Sequence, residues 1–376
     1  MRLGFGTTVL ERGMVQGHMD GIGIYAGNLW DALGGIEKRA VTFGRTFPTE
    51  EIADRLKKPI HIMPSYSLQS AWSIGTGMPF LGMQKLEKEI DLFFAPDHHI
   101  PRLDHTPVIA TIMDAYPLIH PDRVSRRLRR FKNFAFKRAS HWAEHIITIS
   151  EYSKRDISKY FEIVDEKISV IPLGVNETFF RRIDEQEREK ICRKYKIREG
   201  FFLFIGTIQP RKNLPRLIEA YESLPETIRE KHPLLIIGHY GWGEDTLWKK
   251  LTLGHRYDTI HHLQNISDYE LRALLQSALA LVYPSLYEGF GLPILEGFAS
   301  EIPVITSSTS SIPEVAADAA LYVDPTDPRD IAEKMHTLAQ DPDLQKEMVA
   351  RGAERVKHYS WEECAQKHRV LFERFH

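Results

Sequence analysis

The sequence predicts two α/β domains, each built as a doubly wound parallel sheet with helices on both faces. Strand-length apolar runs alternate with helical patterns along the whole 376-residue chain. Several of these runs are apolar at consecutive positions, which is typical of parallel strands that are covered on both sides. The length also indicates two domains, because a single domain usually holds about 100–200 residues.

The positions of the predicted strands and helices set the domain limits. Strands are expected at Arg2–Gly6, Ala40–Phe43, Leu92–Ala95, Val108–Met113, His145–Ile149, Ile168–Ile171, Phe201–Ile205, Leu234–Gly238, Ile260–Leu263, Ala278–Tyr283, Pro303–Thr306 and Ala320–Val323. Helices are expected at Asp184–Tyr195, Leu214–Ser223, Asp268–Gln276, Asp330–Gln340 and Trp361–Phe372. The predicted strands of the first half end before Asn176, so the first domain is placed at residues 1–178 and the second at 179–359. A C-terminal helix at 360–376 is expected to pack back on the first domain.

The composition is that of a globular protein without a strong overall field. Hydrophobic residues make up 43%, charged residues 27%, and the formal net charge is −2, so general attraction to nucleic acid is not expected. No apolar run reaches the roughly 18 residues that cross a bilayer, and the N-terminus does not resemble a signal peptide. Cys192 and Cys364 lie far apart and are interpreted as reduced thiols. These features predict a cytoplasmic protein.

The strongest local signal is the segment from Tyr283 to Ala299. A strand ends near Tyr283, a glycine-bearing loop follows, and Pro293 suits the first turn of a helix. Backbone N–H groups near such a helix start favour an anion. Glu288 and Glu296 are eight positions apart and could accept hydrogen bonds from sugar hydroxyls on either side of that anion. The pattern therefore predicts a phosphate-bearing sugar ligand.

These residues also support a family resemblance. Residues 288–296 closely resemble the Glu-x7-Glu signature of the retaining GT-B glycosyltransferases of family 4. Segments that resemble the other motifs of that family occur along the chain in the family's order. They are Gly21–Tyr25 (its N-terminal glycine loop), Thr111–Pro121, Thr148–Ser153, Ile171–Asn176, Gly206–Asn213 and Ser310–Val315. The resemblance implies the GT-B fold, in which two Rossmann-like doubly wound domains face each other across a cleft. It also implies transfer of a hexose from a nucleotide diphosphate sugar to an acceptor, with retention of configuration and without a metal.

The resemblance assigns roles to single residues. Glu296 is expected to hold the donor ribose, Glu288 to lie near the donor sugar, and Gly23 to approach the diphosphate from the N-terminal, acceptor-side domain. Arg211 and Lys212 follow a predicted strand and are expected to stabilise charge on the leaving diphosphate. The expected donor-binding set is Gly23, Ser150, Arg211, Lys212, Glu288, Gly289, Phe290, Gly291, Leu292 and Glu296, and the expected catalytic set is Asp114, Glu288, Arg211 and Lys212.

Two positions depart from the family pattern. Thr207 stands where many members carry arginine, and Arg211 is expected to supply that charge. Met113 stands where a histidine is common, which leaves Asp114 as the candidate for positioning the acceptor or the sugar. A turn-capping role is the alternative for Asp114. His120 is the weaker candidate, because a single histidine beside a proline is more often structural.

Metal-binding patterns are weak in this sequence. The single Asp-x-Asp, at Asp341 and Asp343, is expected to cap a helix. Asp97, His98 and His99 could be ligands, but one such cluster without a partner set is more typical of a polar loop. No metal or other cofactor is expected.

A basic stretch at residues 123–142 suggests a membrane partner. It contains eight lysines and arginines and no acidic residue up to position 138: Arg123, Arg126, Arg127, Arg129, Arg130, Lys132, Lys137 and Arg138. Phe131, Phe134, Phe136 and Trp142 are interleaved with them. A basic amphipathic helix of this kind suits an anionic membrane surface, on the inner face of the cell membrane. The alternative is a solvated helix face whose aromatic residues pack inward.

The donor and the function leave alternatives open. GDP-mannose is preferred because Thr306–Glu314 resembles the corresponding loop of bacterial polysaccharide mannosyltransferases, but UDP- and dTDP-sugars also fit. The acceptor is expected to be a glycan or a lipid-linked acceptor in bacterial polysaccharide or glycolipid synthesis. A nucleotide-sugar 2-epimerase with the same fold and a non-catalytic nucleotide-sugar-binding partner are the competing interpretations, since a fold alone does not determine function.

Overall fold

Two compact units make up the chain. The structure, a computed structural model, describes residues 1–16, 19–44, 50–56, 60–121, 129–252 and 259–375. Unit 1 consists of Met1–Gly174 and Ser360–His376, and unit 2 consists of Val175–Tyr359. The sequence pattern places the change of domain after residue 178, whereas in the structure the chain leaves unit 1 at Gly174.

Unit 1 contains a parallel sheet, which has seven strands among the described residues. They are β1 (Arg2–Gly6), β2 (Glu37–Phe43), β3 (Ile60–Met63), β4 (Leu92–Ala95), β5 (Val108–Thr111), β6 (His145–Thr148) and β7 (Ile168–Val170). Their spatial order is β3-β2-β1-β4-β5-β6-β7. Helices of this part are α1 (Thr8–Gln16), α2 (Gly21–Ala32), α3 (Glu50–Leu56), α4 (Tyr66–Thr76), α5 (Gln84–Glu87), α6 (Tyr116–Ile119), α7 (Arg129–Ser140) and α8 (Glu151–Phe161). The strand order reverses direction between β1 and β4, as in a doubly wound sheet.

Unit 2 repeats this plan with a sheet that has six strands in the described part of the unit. They are β8 (Phe201–Ile205), β9 (Leu234–Ile237), β10 (Ile260–Leu263), β11 (Ala278–Tyr283), β12 (Val304–Ser307) and β13 (Leu321–Val323). Their spatial order is β10-β9-β8-β11-β12-β13. The helices are α9 (Glu185–Lys194), α10 (Leu214–Glu222), α11 (Glu226–Lys231), α12 (Asp245–Thr252), α13 (Asp268–Ser277), α14 (Leu292–Ala299), α15 (Ile312–Ala316), α16 (Pro328–Gln340) and α17 (Pro342–Val356). Here the direction reverses between β8 and β11, so the loops after these two strands diverge at the usual ligand-binding point of such a sheet.

Burial of the strands explains why the sequence predicts them well. Strands β4, β5, β9 and β12 are buried at every position, which produces the continuous apolar runs seen in the sequence. All twelve predicted strands are present, with ends that differ by at most three residues. Strand β3 was not predicted. It lies at the edge of its sheet, and Ile62 within it is 54% exposed, so its apolar signal is short and interrupted.

The C-terminal helix, α18 (Trp361–Phe372), belongs to unit 1. It contacts α2, where the buried Tyr25 hydroxyl lies 2.8 Å from His368 Nε2 and 2.9 Å from Thr111 Oγ1. Gly174 lies against the start of this helix, because an added Cβ would be only 2.3 Å from the backbone nitrogen of Trp361. Both cysteines are free and buried. None of the helices in the described ranges is long and apolar enough to cross a bilayer.

Candidate active site

The strongest candidate site lies in unit 2, at the carboxyl ends of three adjacent strands. Strands β8, β11 and β12 are neighbours in the sheet and run parallel. The loops that follow them therefore start from the same edge. They hold, respectively, Arg211 with Lys212, Glu288 with the glycines beside it, and a run of serines and threonines. This arrangement brings together Arg211 and Glu288, which are 77 positions apart in the sequence.

The loop after β8 is fixed by Asn213. Pro210–Lys212 forms a single 3-10 turn, and Asn213 follows it in the left-handed conformation, with φ of 61°. The buried Asn213 amide donates to the carbonyls of Pro284, at 3.0 Å, and Pro325, at 2.6 Å. These two carbonyls belong to the loops after β11 and β13, so one side chain ties three strand ends together. The two basic residues that precede Asn213 are thereby held at the sheet edge.

Glu288 receives both basic side chains. Its Oε2 accepts from Arg211 Nη1 at 2.6 Å, and its Oε1 accepts from Lys212 Nζ at 2.6 Å. The Tyr283 hydroxyl donates to the same Oε1 at 2.9 Å and also contacts Lys212 Nζ. The ammonium of Lys212 lies over the Tyr283 ring, 4.7 Å from its centroid. Glu288 and Lys212 are only 5% and 7% exposed, so this is a largely buried charge cluster.

The charges in the cluster determine its protonation. Burial alone would raise the pKa of Glu288, but Arg211 and Lys212 together lower the pKa to about 2. Burial and the charge of Glu288 raise the pKa of Tyr283 well above its ordinary value, so its phenol stays neutral. Two cations and one carboxylate leave the cluster with one net positive charge, which suits an anionic ligand.

Gly291 forms the start of the following helix as predicted. It has φ of 111°, a region that residues with a side chain rarely adopt. An added Cβ would also lie 3.1 Å from Ile294 Cδ1. Helix α14 begins at the next residue, with Pro293 in its first turn, and the leading N–H groups of any helix lack intrahelical acceptors. The predicted combination of a glycine loop and a helix start is therefore present.

Glu296 has the opposite electrostatic environment to Glu288. It lies on α14 and is partly buried. Burial, with a smaller contribution from the negative charge of Asp268, raises its pKa to about 7. A group with this pKa exchanges a proton near neutral pH. Its carboxylate form would gain from hydroxyl donors such as those of a sugar.

The site residues predicted in the first domain lie in unit 1. Gly23 is in the first turn of α2 rather than in a loop, and its N–H donates to Asp20 Oδ1 at 2.8 Å. The expected glycine loop is thus wrong at the level of secondary structure, because Asp20 caps the helix there. Ser150 is the N-cap of α8, where its Oγ accepts from Ser153 N at 3.0 Å. The direct contact of Gly23 with a diphosphate stays a prediction.

Asp114 and its neighbours follow β5 at the carboxyl edge of the unit 1 sheet. The Asp114 carboxylate accepts from Tyr116 N at 3.0 Å, which is the turn-capping arrangement that the sequence left as an alternative. His120 ends α6, and its ring lies 5.1 Å from that of Tyr116. Met113 is partly buried. A role for Asp114 in positioning the acceptor is compatible with this cap but stays a prediction.

The basic stretch lies partly outside the described residues. Residues 122–128 are not described, and α7 begins at Arg129. Phe136 packs on Phe161, with ring centroids 5.1 Å apart, and Trp142 packs on Phe80 at 5.7 Å. Phe134 is 53% exposed. Two of the interleaved aromatic residues, both partly buried, therefore pack against the core, and one faces solvent.

Hydrogen bonds within the protein involve both the acidic motif and the histidine motif where they are described. Asp341 caps α17, where it accepts from the backbone of Asp343 and Leu344, as predicted. Asp97 and His99 are buried and hydrogen bonded to each other, with His99 Nδ1 2.9 Å from Asp97 Oδ1. Asp97, His98 and His99 place one ligand atom each within 4.8 Å of one another, so a metal would compete with this internal hydrogen bond.

Several residues of the unit 2 cluster have no predicted role. The sequence pattern places Tyr283 at the end of a strand and the serines after β12 in a family motif, and it assigns neither a place in the site. Asn213 belongs to another family motif and has no predicted role of its own. The left-handed conformation that Asn213 adopts is one that asparagine tolerates better than most residues, which is the one local signal that marks it.

Comparisons with known proteins agree with this geometry. Residues 187–355 match the family model described as "Glycosyl transferases group 1", and residues 21–179 match "Glycosyltransferase Family 4". O-antigen chain mannosyltransferase B of Escherichia coli is 34% identical over 280 residues, which cover 73% of this chain and 71% of the relative. O-antigen chain mannosyltransferase RfbU of Salmonella typhimurium is 30% identical over 246 residues, which cover 65% of this chain and 64% of the relative.

A solved structure extends the likeness to nearly the whole chain. HepE of Anabaena, in a crystal structure described as a complex with UDP and glucose, superposes with a TM-score of 0.75 over 99% of both chains. The sequence identity is only 14%, so this match supports the GT-B fold alone. With family models on both halves and a relative that is 34% identical, the chain belongs to glycosyltransferase family 4 and is a glycosyltransferase.

Proposed function

We propose that this glycosyltransferase transfers a hexose, with mannose preferred, from a nucleoside diphosphate sugar to a glycan or lipid-linked acceptor in bacterial polysaccharide or glycolipid synthesis. One observation supports the donor class best. Arg211 and Lys212 converge on the buried Glu288 beside the start of α14, and the cluster retains one net positive charge. A diphosphate leaving group needs this kind of fixed positive charge as its own negative charge develops.

Roles for the cluster follow from its chemistry. Arg211 and Lys212 stabilise the diphosphate, and Glu288 orients them while it faces the donor sugar. The loop at Gly289–Leu292, which leads into the first turn of α14, contributes backbone N–H donors. Glu296 binds the ribose hydroxyls. Because fixed side-chain cations carry the charge, the proposal requires no metal, and activity is expected to persist in a chelator.

The sugar and the acceptor are proposed from the relatives. Two relatives similar to this chain are named O-antigen chain mannosyltransferases, which favours GDP-mannose as donor and a growing polysaccharide as acceptor. The same names favour transfer over epimerisation. Retention of configuration is proposed from membership of family 4. Docking on an anionic membrane through residues 123–142 is proposed from the eight basic side chains of that stretch.

The donor is identified by thermal unfolding with GDP, UDP, dTDP and ADP. A ligand at about 100 times its dissociation constant stabilises the folded state by about 2.7 kcal/mol, so one nucleotide is expected to raise the melting temperature clearly above the others. Lys212→Ala should reduce that increase. Lys346→Ala, at an exposed lysine of unit 2, should leave it unchanged.

Turnover then tests the reaction. With the matching nucleotide sugar, release of nucleoside diphosphate is expected to require an acceptor, and Glu288→Ala is expected to lose it while it stays folded. An epimerised donor without any acceptor would instead support the epimerase. If none of the four nucleotides changed the melting temperature, the donor assignment to this cluster would be wrong.

A further inference from the structure

The end of β12 and the loop after it together carry six consecutive hydroxyl side chains. Thr306 to Ser311 reads Thr-Ser-Ser-Thr-Ser-Ser, and we refer to it as the hydroxyl segment. It covers the last residues of β12 and the turn that leads into α15. A solvent-exposed turn needs no such run. Thr306, Ser307 and Ser311 are in fact fully buried, so their hydroxyl groups must have partners inside the protein.

Those partners are backbone groups of the loop that contains Glu288. The Thr306 hydroxyl donates to the carbonyl of Tyr283 at 2.8 Å. The Ser307 hydroxyl donates to the carbonyl of Ser285 at 2.6 Å. The hydroxyl segment therefore runs along the loop after β11, and these hydrogen bonds to carbonyl groups fix the path of that loop.

The bonds to Glu288 itself are the most specific. The N–H of Glu288 donates to Ser310 Oγ at 3.0 Å, and the Ser311 hydroxyl donates to the Glu288 carbonyl at 2.8 Å. The Ser311 hydroxyl also lies 3.2 Å from the carbonyl of Phe290. Both backbone groups of Glu288 are thus held by adjacent serines.

Ser310 adopts a strained backbone conformation to make its bond. Its φ is +57°, in the left-handed region that a residue with a side chain rarely adopts. Glycine would avoid this strain, but glycine has no hydroxyl to accept from Glu288. A serine at this position is therefore explained by the hydrogen bond better than by the backbone conformation.

We propose that Ser310 and Ser311 are positioning residues for the transfer reaction, because they fix the backbone of Glu288 so that its carboxylate stays between Arg211 and Lys212. The inference rests on the proposed function of Glu288. Without the two serines the backbone of this residue gains freedom, the carboxylate leaves its two cations part of the time, and the cations lose their common orientation. The alignment of the reacting groups is then disturbed, so kcat is expected to fall more than the affinity for the nucleotide.

The test compares four serine variants of the full chain. Ser310→Gly removes the acceptor and relieves the strain, Ser310→Ala removes the acceptor and keeps the strain, and Ser311→Ala removes the donor. Ser308→Ala is the matched control, because Ser308 is the exposed member of the hydroxyl segment. For each variant, kcat, KM, the dissociation constant of the nucleoside diphosphate and the melting temperature are measured.

The first three variants are expected to lose at least tenfold in kcat, with KM and nucleotide affinity within about threefold of the parent protein. Ser308→Ala is expected to match the parent. A kcat within twofold of Ser308→Ala for Ser310→Gly or Ser311→Ala would overturn the proposal. So would an equal loss of kcat and nucleotide affinity, since that result indicates general damage to unit 2.

Glu288→Gln separates this inference from the function on which it rests. If Glu288→Gln kept the parent kcat, the role of Glu288 would be wrong. If Glu288→Gln lost turnover while the Ser310 and Ser311 variants kept it, only the positioning role of the serines would be wrong.

Discussion

At the scale of residues, the two glutamates of the signature segment behave as different chemical groups. Glu288 is held between two cations, so burial does not prevent its ionisation and its pKa falls to about 2. Glu296 is subject to burial and to the negative charge of Asp268, and its pKa rises to about 7. Their residue type and spacing give no hint of this difference. The neighbours decide which glutamate is a permanent anion and which exchanges a proton near neutral pH.

Nucleotide affinity is expected to depend on pH through Glu296. If its carboxylate accepts hydrogen bonds from the ribose hydroxyls, binding requires the deprotonated form, which dominates above a pKa of about 7. With a pKa of about 7, the deprotonated fraction rises from about one tenth at pH 6 to about nine tenths at pH 8, so affinity should rise by about tenfold. Calorimetric titration with the nucleoside diphosphate measures this.

The control for that measurement is Glu296→Gln, which cannot ionise. Protonation of the nucleotide phosphates also changes the affinity with pH, but it changes the affinity of the parent protein and of Glu296→Gln equally. If the parent and Glu296→Gln gave parallel pH dependences, Glu296 would not be the ribose-binding carboxylate.

At the scale of elements, α18 is tied to unit 1 by a buried polar chain. His368 Nδ1 donates to the Cys364 carbonyl at 2.8 Å, so its Nε2 accepts from the Tyr25 hydroxyl. Tyr25 lies on α2, and Thr111, which also contacts it, ends β5. One histidine thus connects the last helix of the chain with the helix that contains Gly23 and the strand that precedes Asp114.

The stability of this arrangement is expected to fall in acid. Burial lowers the pKa of His368 to about 4, against 6.5 for an ordinary histidine. In the unfolded chain His368 therefore binds a proton below about pH 6.5, whereas in the folded chain it binds one only below about pH 4. The free energy of unfolding is therefore highest above pH 6.5, and this effect lowers it by about 3 kcal/mol in total as the pH falls towards 4.

Urea denaturation at several pH values between 4 and 7 measures the free energy of unfolding. His368→Gln is expected to show a smaller loss than the parent over this range. His358→Gln, at an exposed histidine, should keep the loss unchanged. An unaltered loss in His368→Gln would show that His368 does not titrate as its burial requires.

At the scale of the whole molecule, the charge is distributed unevenly. The chain has a formal net charge of only −2, yet it has eight basic residues and no acidic residue between positions 123 and 138. Helix α7, in the second half of this stretch, exposes Phe134, while its partly buried Phe136 packs against the core. An overall charge near zero therefore does not argue against a local attraction to anionic lipid.

Flotation with anionic vesicles tests that attraction. Each cation near the lipid surface contributes about 1 kcal/mol, so replacing Arg126, Arg127, Arg129 and Arg130 by glutamine should weaken binding by about 4 kcal/mol and abolish flotation. Replacing four exposed basic residues of unit 2 is the control: Lys190, Arg193, Lys346 and Lys357. Equal flotation of the two quadruple variants would contradict the proposal that residues 123–142 contact the membrane.

The sequence by itself determined the architecture and the location of the candidate site. Buried parallel strands require consecutive apolar residues, and a glycine loop before a helix requires particular residue types, so both are visible locally. Strand β3 is not predicted from the sequence, because a partly exposed edge strand does not require a continuous apolar run. The family resemblance implies a glycine loop at Gly21–Tyr25, but Asp20 caps the first turn of α2 there.

The tertiary structure decided the chemistry within that site. Arg211 and Glu288 are 77 positions apart, and they meet only because β8 and β11 are neighbours in the sheet. The hydroxyl segment reaches Glu288 for the same reason, because β12 follows β11 in the strand order. Hydrogen bonds and charge pairs act over a few ångströms in space, and the order of the strands, which no local pattern encodes, determines which residues come within that range.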